Sequence, residues 1–200
     1  MPADFSNGYE AIASRFIESR SPDMGATVVA EWSRVLAPGS AVLDLGCGSG
    51  APISQVLADL GFAIHGVDAS PSMAAAFAKR FPNAPVECAA VENCSFLNRT
   101  FDAIVSWGLF FLLDAGAQRK LIARVSDALR PGGRFLFTAP SQACSWADSL
   151  TGLPSVSLGE AAYRIELEAA GLALTGTRLD EGGNHYSLAS VTPRTWPPPR

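Results

Sequence analysis

The chain has little charge and no excess of positive charge. Of its 200 residues 17% are charged, and 15 Lys and Arg stand against 19 Asp and Glu, for a formal net charge of -4. A nucleic-acid footprint needs a basic face. Here the basic pairs are Lys79-Arg80 and Arg119-Lys120, which read as solvated helix faces. No apolar run approaches the ~18 residues of a membrane helix; the richest stretch, 103–113, is broken by Ser106 and Gly108. Residues 1–10 lack a basic start followed by an apolar stretch, so no signal peptide is expected. The cysteines Cys47, Cys88, Cys94 and Cys144 form no CxxC pair and are read as reduced thiols of a cytoplasmic protein. There are two histidines, His65 and His185, and no metal-ligand spacing. The expectation is a chain with no nucleic-acid partner, no membrane partner and no metal.

What is present is material for a core: 48% hydrophobic residues, with 18 Gly and 14 Pro as punctuation, in a length that suits one domain, 1–192. The segment 193–200 is proline-rich and is expected to be a flexible tail. Tyr9, Ile12, Ala13, Phe16 and Ile17 fall at helical spacing, and Ser21-Pro22 reads as the N-cap and first residue of a second helix running to Leu36. From there short apolar strands alternate with helices. Strands are expected at 41–45, 63–67, 86–89, 101–106 and 133–138, and helices at 52–60, 71–80 (capped by Ser70) and 117–129. Ser157 and Glu160 suggest a capping box for a helix ending near Gly171. Two last strands, 172–179 and 185–191, flank the turn Asp180-Glu181-Gly182-Gly183. Such alternation predicts an α/β doubly wound sheet, mostly parallel, with helices on both faces and an antiparallel last strand. Its ligand belongs at the carboxyl ends of the strands.

The strongest local signal is Val42-Leu43-Asp44-Leu45-Gly46-Cys47-Gly48-Ser49-Gly50, between a strand and a helix. Gly46 suits a sharp turn; Gly48 and Gly50 suit close approach of a ligand to backbone. Asp44, expected at the loop's rim, would repel a phosphate and attract an ammonium group. Asp68 follows at the end of the second strand, roughly ~20 residues on, where a carboxylate can take two ribose hydroxyls. The competing reading of Asp68, a helix cap, is already served by Ser70.

These residues, with Phe101-Asp102-Ala103-Ile104-Val105-Ser106 and Leu129-Arg130-Pro131-Gly132-Gly133-Arg134-Phe135, resemble the class I, Rossmann-like S-adenosylmethionine-dependent methyltransferases from about Ala41 to Ala139. The resemblance implies seven strands in the order 3-2-1-4-5-7-6. It also implies a donor pocket drawn from Tyr9, Asp44, Gly46, Cys47, Gly48, Gly50, Asp68, Ala69, Met73, Ala90, Val91, Glu92 and Ser106. Cys88 to Glu92 matches the family's adenine loop, but Ala90 stands where many members have Asp. Adenine would then be read by backbone near Val91 or by Glu92. Tyr9 is similar to a family tyrosine that closes over the donor; its other reading is a helix contact. The N-terminal helices, 1–37, would cover the cofactor site.

For the acceptor, Trp107 either lines the pocket or joins the core, whereas Phe110 and Phe111 read as core. Glu181, Asn184, His185 and Tyr186 share the last turn and should point towards the donor pocket. Histidine titrates near neutrality, so His185 suits a general base, against a hairpin histidine bonded to a neighbour; His65, inside a strand, reads as structural. Trp107, Tyr186 and His185 are the catalytic candidates. The long connection 141–156 reads as a lid. The function so implied is metal-free, in-line methyl transfer to a small molecule. The alternatives are a nicotinamide-dependent oxidoreductase, which Gly46-x-Gly48-x-x-Ala51 fits loosely, and a non-catalytic S-adenosylmethionine-binding protein.

Overall fold

The computed structural model describes residues 5–192, so the expected tail 193–200 lies outside the described residues. Nine strands, numbered in chain order, are β1 (Ala41–Leu45), β2 (Ala63–Asp68), β3 (Val86–Cys88), β4 (Phe101–Ser106), β5 (Leu129–Thr138), β6 (Cys144–Ala147), β7 (Pro154–Ser157), β8 (Leu172–Leu179) and β9 (His185–Val191). Seven form one sheet in the order β3-β2-β1-β4-β5-β9-β8, and β6 pairs with β7 alone. β1 to β5 are parallel, while β9 runs antiparallel to both β5 and β8. This is the expected strand order, with the last two strands renumbered by the β6–β7 hairpin.

Residue alternation explains why both faces are covered. Leu43 and Leu45 of β1 and Phe135 and Phe137 of β5 join one buried cluster with Leu121, Val125, Tyr163 and Leu167. These last four lie on helices α5 (Ala115–Ala128) and α6 (Glu160–Ala169). Val42 and Leu136, one residue out of phase, join the opposite cluster. That cluster includes Val29, Leu57 and Phe77 of helices α2 (Ala26–Ser33), α3 (Ile53–Asp59) and α4 (Pro71–Arg80). A leucine at 0% exposure, such as Leu43, contributes about 1.5–3 kcal/mol. Among the described residues no helix is long and apolar enough to cross a membrane.

The ends of the elements depart from the sequence reading in four places. The first helix is split into a 3-10 turn, Glu10–Ile12, and α1 (Ala13–Ser19). Ser21 does not cap α2: its hydroxyl accepts from the Met24 N–H and donates to Asp23, closing a turn. Helix α2 instead starts after Gly25, at φ 78°, where a Cβ would lie 2.2 Å from the Tyr186 hydroxyl. Ser157 does not cap α6, because it ends β7, donating to Pro140 O and accepting from Gly159 N–H. The stretch 141–156 is not an open loop; β6 and β7 give it a hairpin, held by Gln118, whose side-chain amide donates to Val156 O at 2.9 Å. Ser70, as expected, caps α4 by accepting from Met73 N–H, an interaction of about 1 kcal/mol.

Candidate functional site

The strand order turns back between β1 and β4, and a cavity of about 1170 Å³ opens there, at the carboxyl ends of the strands. Its volume exceeds the roughly 300–1,000 Å³ of a cleft for one small ligand. Of the residues singled out by the sequence, Tyr9, Gly46, Cys47, Gly48, Asp68, Ala69, Met73, Val91, Glu92, Trp107 and His185 line it. Asp44, Gly50, Ala90, Ser106 and Tyr186 lie behind its wall.

The glycine loop and Asp68 form one unit. Asp68 Oδ2 accepts from the Gly48 N–H at 2.7 Å and Oδ1 from the Ser70 N–H at 2.9 Å. Each oxygen retains a lone pair for a ligand hydroxyl. Burial pushes the carboxyl above its usual range, against the pull of these two bonds. Asp44 is not at the rim. It is 3% exposed and accepts from Ser54 Oγ at 2.6 Å behind the loop. Burial raises it to about 7, with Asp68 pushing the same way and Arg20 opposing. Gly50 does not meet a ligand either: at φ 84° a Cβ there would come within 2.3 Å of the Phe81 ring. Burial also pushes the Cys47 thiol well up, so it is an inert wall.

The N-terminal segment straps over this unit. Glu10 accepts from Ser70 Oγ, Ser72 Oγ and Ser72 N–H at the start of α4, a favourable end for an anion. Tyr9 donates to Asp148 at 3.4 Å across the cavity, and burial followed by Asp148 lifts its hydroxyl to about 12. Val91 and Glu92 also line the cavity, and Arg124 of α5 donates to the carbonyls of Val91 and Cys94. Ser106 donates to Leu45 O at 3.1 Å and ties β4 to β1.

The acceptor-side candidates divide. Trp107 lines the cavity, but one ring face carries the Arg20 guanidinium at 3.9 Å, and its Nε1–H donates to Tyr186 Oη. Tyr186 is fully buried and donates to Asp180 at 2.9 Å, so it positions Trp107 from behind. Burial, then Asp180, drives its hydroxyl far above the usual range. Asn184 lines the cavity with its amide committed to Asp180; Glu181 accepts from Gly25 N–H. His185 faces the cavity with Nδ1 buried and unpartnered and Nε2 3.9 Å from Glu160. His65 is 3% exposed beside Phe101 and Arg99, a structural residue as read. Phe110 is core, but Phe111 lines the cavity against Trp146.

Sequence reasoning missed Arg20, Asn7 and Ser155. Among the described residues, four have a buried side-chain nitrogen or oxygen without a hydrogen-bond partner: Asn7, Arg20, Ser155 and His185. All four line this cavity. Buried polar groups are ordinarily satisfied, so four such groups around one cavity mark it as a polar ligand's place. Arg20 is also the one Lys or Arg among the described lining residues. Burial lowers its guanidinium to about 10, with Tyr9 and Asp44 opposing.

Residues 42–133 match the family profile described as "Methyltransferase domain". The chain is 36% identical over 112 residues to the aklanonic acid methyltransferase DauC of a Streptomyces species, covering 51% of this chain and 49% of that protein. It is 39% identical over 100 residues to the demethylmenaquinone methyltransferase of Corynebacterium urealyticum, covering 50% and 41%. The chain thus spans about half the length, or less, of these curated relatives. Among solved structures, the magnesium protoporphyrin IX methyltransferase of Synechocystis, with S-adenosylhomocysteine bound, superimposes with a TM-score of 0.75 at 16% identity, over 94% of this chain and 97% of that one. The profile match spans the glycine loop and the central strands, and the sheet has the strand order that the sequence resemblance implies. Over residues 42–133 the chain matches a methyltransferase domain, and its seven-stranded sheet has the class I, Rossmann-like methyltransferase fold.

Proposed function

We propose that the chain binds S-adenosylmethionine in this cavity and transfers its methyl group to a small-molecule acceptor. The observation that carries the reading is that Asp68, the Gly48 loop and an Arg20 whose Nε has no hydrogen-bond partner all line one cavity. These groups fit the donor: Asp68 suits two ribose hydroxyls, and the guanidinium of Arg20 suits the amino-acid carboxylate. Asp44, behind the loop, supplies a negative field for the ammonium when ionised, which burial places above about pH 7. The wall formed by Ala69, Met73 and Val91 fits an adenine ring, with Glu92 beside its polar edge. The donor, when bound, supplies a methyl group on a positively charged sulfur.

The chain's own contribution is to orient and to exclude water. Arg20 stacked on Trp107 fixes the amino-acid end, and Tyr186 holds the indole in register from behind. His185 is the residue placed to take an acceptor proton. Glu160 near Nε2 favours the tautomer protonated there, which leaves Nδ1 as a base. The strap over 5–20 and the hairpin β6–β7 act as covers for donor and acceptor, joined through Tyr9 and Asp148. The methyltransferase-domain match speaks against the nicotinamide-dependent alternative.

The test is a metabolite library incubated with the donor and followed by release of S-adenosylhomocysteine. Turnover of a small molecule is expected, with His185→Ala lowering it while donor affinity stays within threefold. Tight donor binding without turnover of any compound would favour the non-catalytic reading.

A further inference from the structure

The cavity has two chemical halves. The half beside the glycine loop holds Asp68 and Arg20. The other half, beneath the β6–β7 hairpin, carries a pair of rings, Phe111 and Trp146, 5.5 Å apart at 44°, and is lined also by Leu112, Val156 and the uncharged polar residues Gln142, Ser145 and Ser149. Its two carboxylates are committed. Asp114 Oδ1 accepts from Ala117 N–H at 2.8 Å as the cap of α5. Asp148 Oδ1 accepts from the N–H groups of Leu150 and Thr151 and from Thr151 Oγ1, while Oδ2 takes Tyr9. An ammonium would therefore displace structural hydrogen bonds, and an anion would meet no Lys or Arg among the described residues of this half.

Two buried polar atoms in this half have no hydrogen-bond partner: Ser155 Oγ, on a residue 2% exposed, and His185 Nδ1. A serine hydroxyl donates or accepts, and Nδ1 accepts when the proton sits on Nε2. Rings of this kind prefer offset or edge-on contact with another ring.

Resting on the methyl-donor reading above, we propose that the acceptor is an uncharged, planar ring compound bearing a hydroxyl, its ring against Phe111 and Trp146 and its hydroxyl donating to His185 Nδ1. Ser155 Oγ donates to a second oxygen on the same ring system where one is present. A charged amine or a phosphate ester is disfavoured by the same wall.

The intact protein saturated with S-adenosylhomocysteine provides the test, by calorimetry and tryptophan fluorescence. The probes are 1-naphthol, 1-methoxynaphthalene (the same ring without the donated proton) and phosphoethanolamine. The expected result is one naphthol site, at least tenfold weaker binding of the methyl ether and no binding of phosphoethanolamine. His185→Ala should abolish the preference for naphthol over its ether. Trp146→Ala should weaken both ring compounds at least tenfold; it lies on the hairpin, outside the seven-stranded sheet, so it leaves the main core intact. S-adenosylhomocysteine affinity should stay within threefold in both variants. The inference is overturned if phosphoethanolamine binds in place of naphthol, if naphthol fails to bind, or if His185→Ala leaves the preference unchanged. Failure of S-adenosylhomocysteine itself to bind is a separate result, which removes the donor reading and this inference with it.

Discussion

Replacing Arg20 by methionine should make the protein alone more stable and weaken its hold on the donor. The guanidinium is pulled from 12.5 to about 10, chiefly by burial. That fall corresponds to roughly 3 kcal/mol of unfavourable interaction in the folded state. The sign follows from the direction of the shift. A group whose folded value is depressed adds no penalty above its unfolded value and its full penalty below the folded one, so the whole neutral range carries it. Methionine keeps much of the apolar stem but removes the charged group that lies over the Phe16 and Trp107 rings. The lost cation–ring attraction offsets about 0.5–2 kcal/mol. The net gain is then about 1–2 kcal/mol, or a melting temperature higher by about 2–8 °C for a chain of this size. Calorimetric titration with S-adenosylhomocysteine should show the opposite sign. Loss of a charged hydrogen bond of about 2 kcal/mol raises Kd roughly 30-fold. A lower melting temperature together with unchanged ligand affinity would refute the reasoning and make Arg20 a structural residue.

Three further outcomes follow from the same geometry. Asp68→Asn keeps the side-chain shape but loses the charge that holds Gly48 N–H and the ribose; S-adenosylhomocysteine Kd should rise by about 30-fold by calorimetry, for about 2 kcal/mol. Asp44 titrates near 7 when folded and near 3.8 when unfolded, so its contribution is fully present below 3.8 and lost as pH rises through about 7. Asp44→Asn should therefore raise the melting temperature more at pH 8 than at pH 5, and an equal gain at both would contradict the burial argument. Tyr186→Phe removes the hydroxyl between Trp107 and Asp180 and leaves the indole N–H without its partner, while Asp180 keeps its bonds from Asn184. It should cost about 1–3 kcal/mol in chemical denaturation and alter the Trp107 emission.

The parallel strands were legible because their signal is local. Stretches such as Ala41–Leu45 are apolar at every position, as strands covered on both faces must be. Asp68 was legible for a similar reason, since its distance from the glycine loop is set by one crossover. The hairpin β6–β7 left no such trace. Its strands are four residues each, and they are pinned by Gln118 and Tyr163 from distant helices rather than by a turn signature. Gly50 and Asp44 were placed at the right loop with the wrong neighbours, because only the packed α4 shows that Phe81 fills the space beside Gly50. The turn's sequence points Tyr186 towards the cavity; alternation along β9 instead sends it inward, while His185 faces out. Arg20 gave no signal at all, since a cation at the end of an amphipathic helix ordinarily points to solvent.

The central claim, that this cavity takes the methyl donor, is tested most directly by titrating the purified protein with S-adenosylmethionine and, separately, with NADH in a calorimeter. One saturable S-adenosylmethionine site that Asp68→Asn weakens, with no heat from NADH, is the predicted result. Saturable NADH binding, or no S-adenosylmethionine binding by a protein shown to be folded, would contradict it.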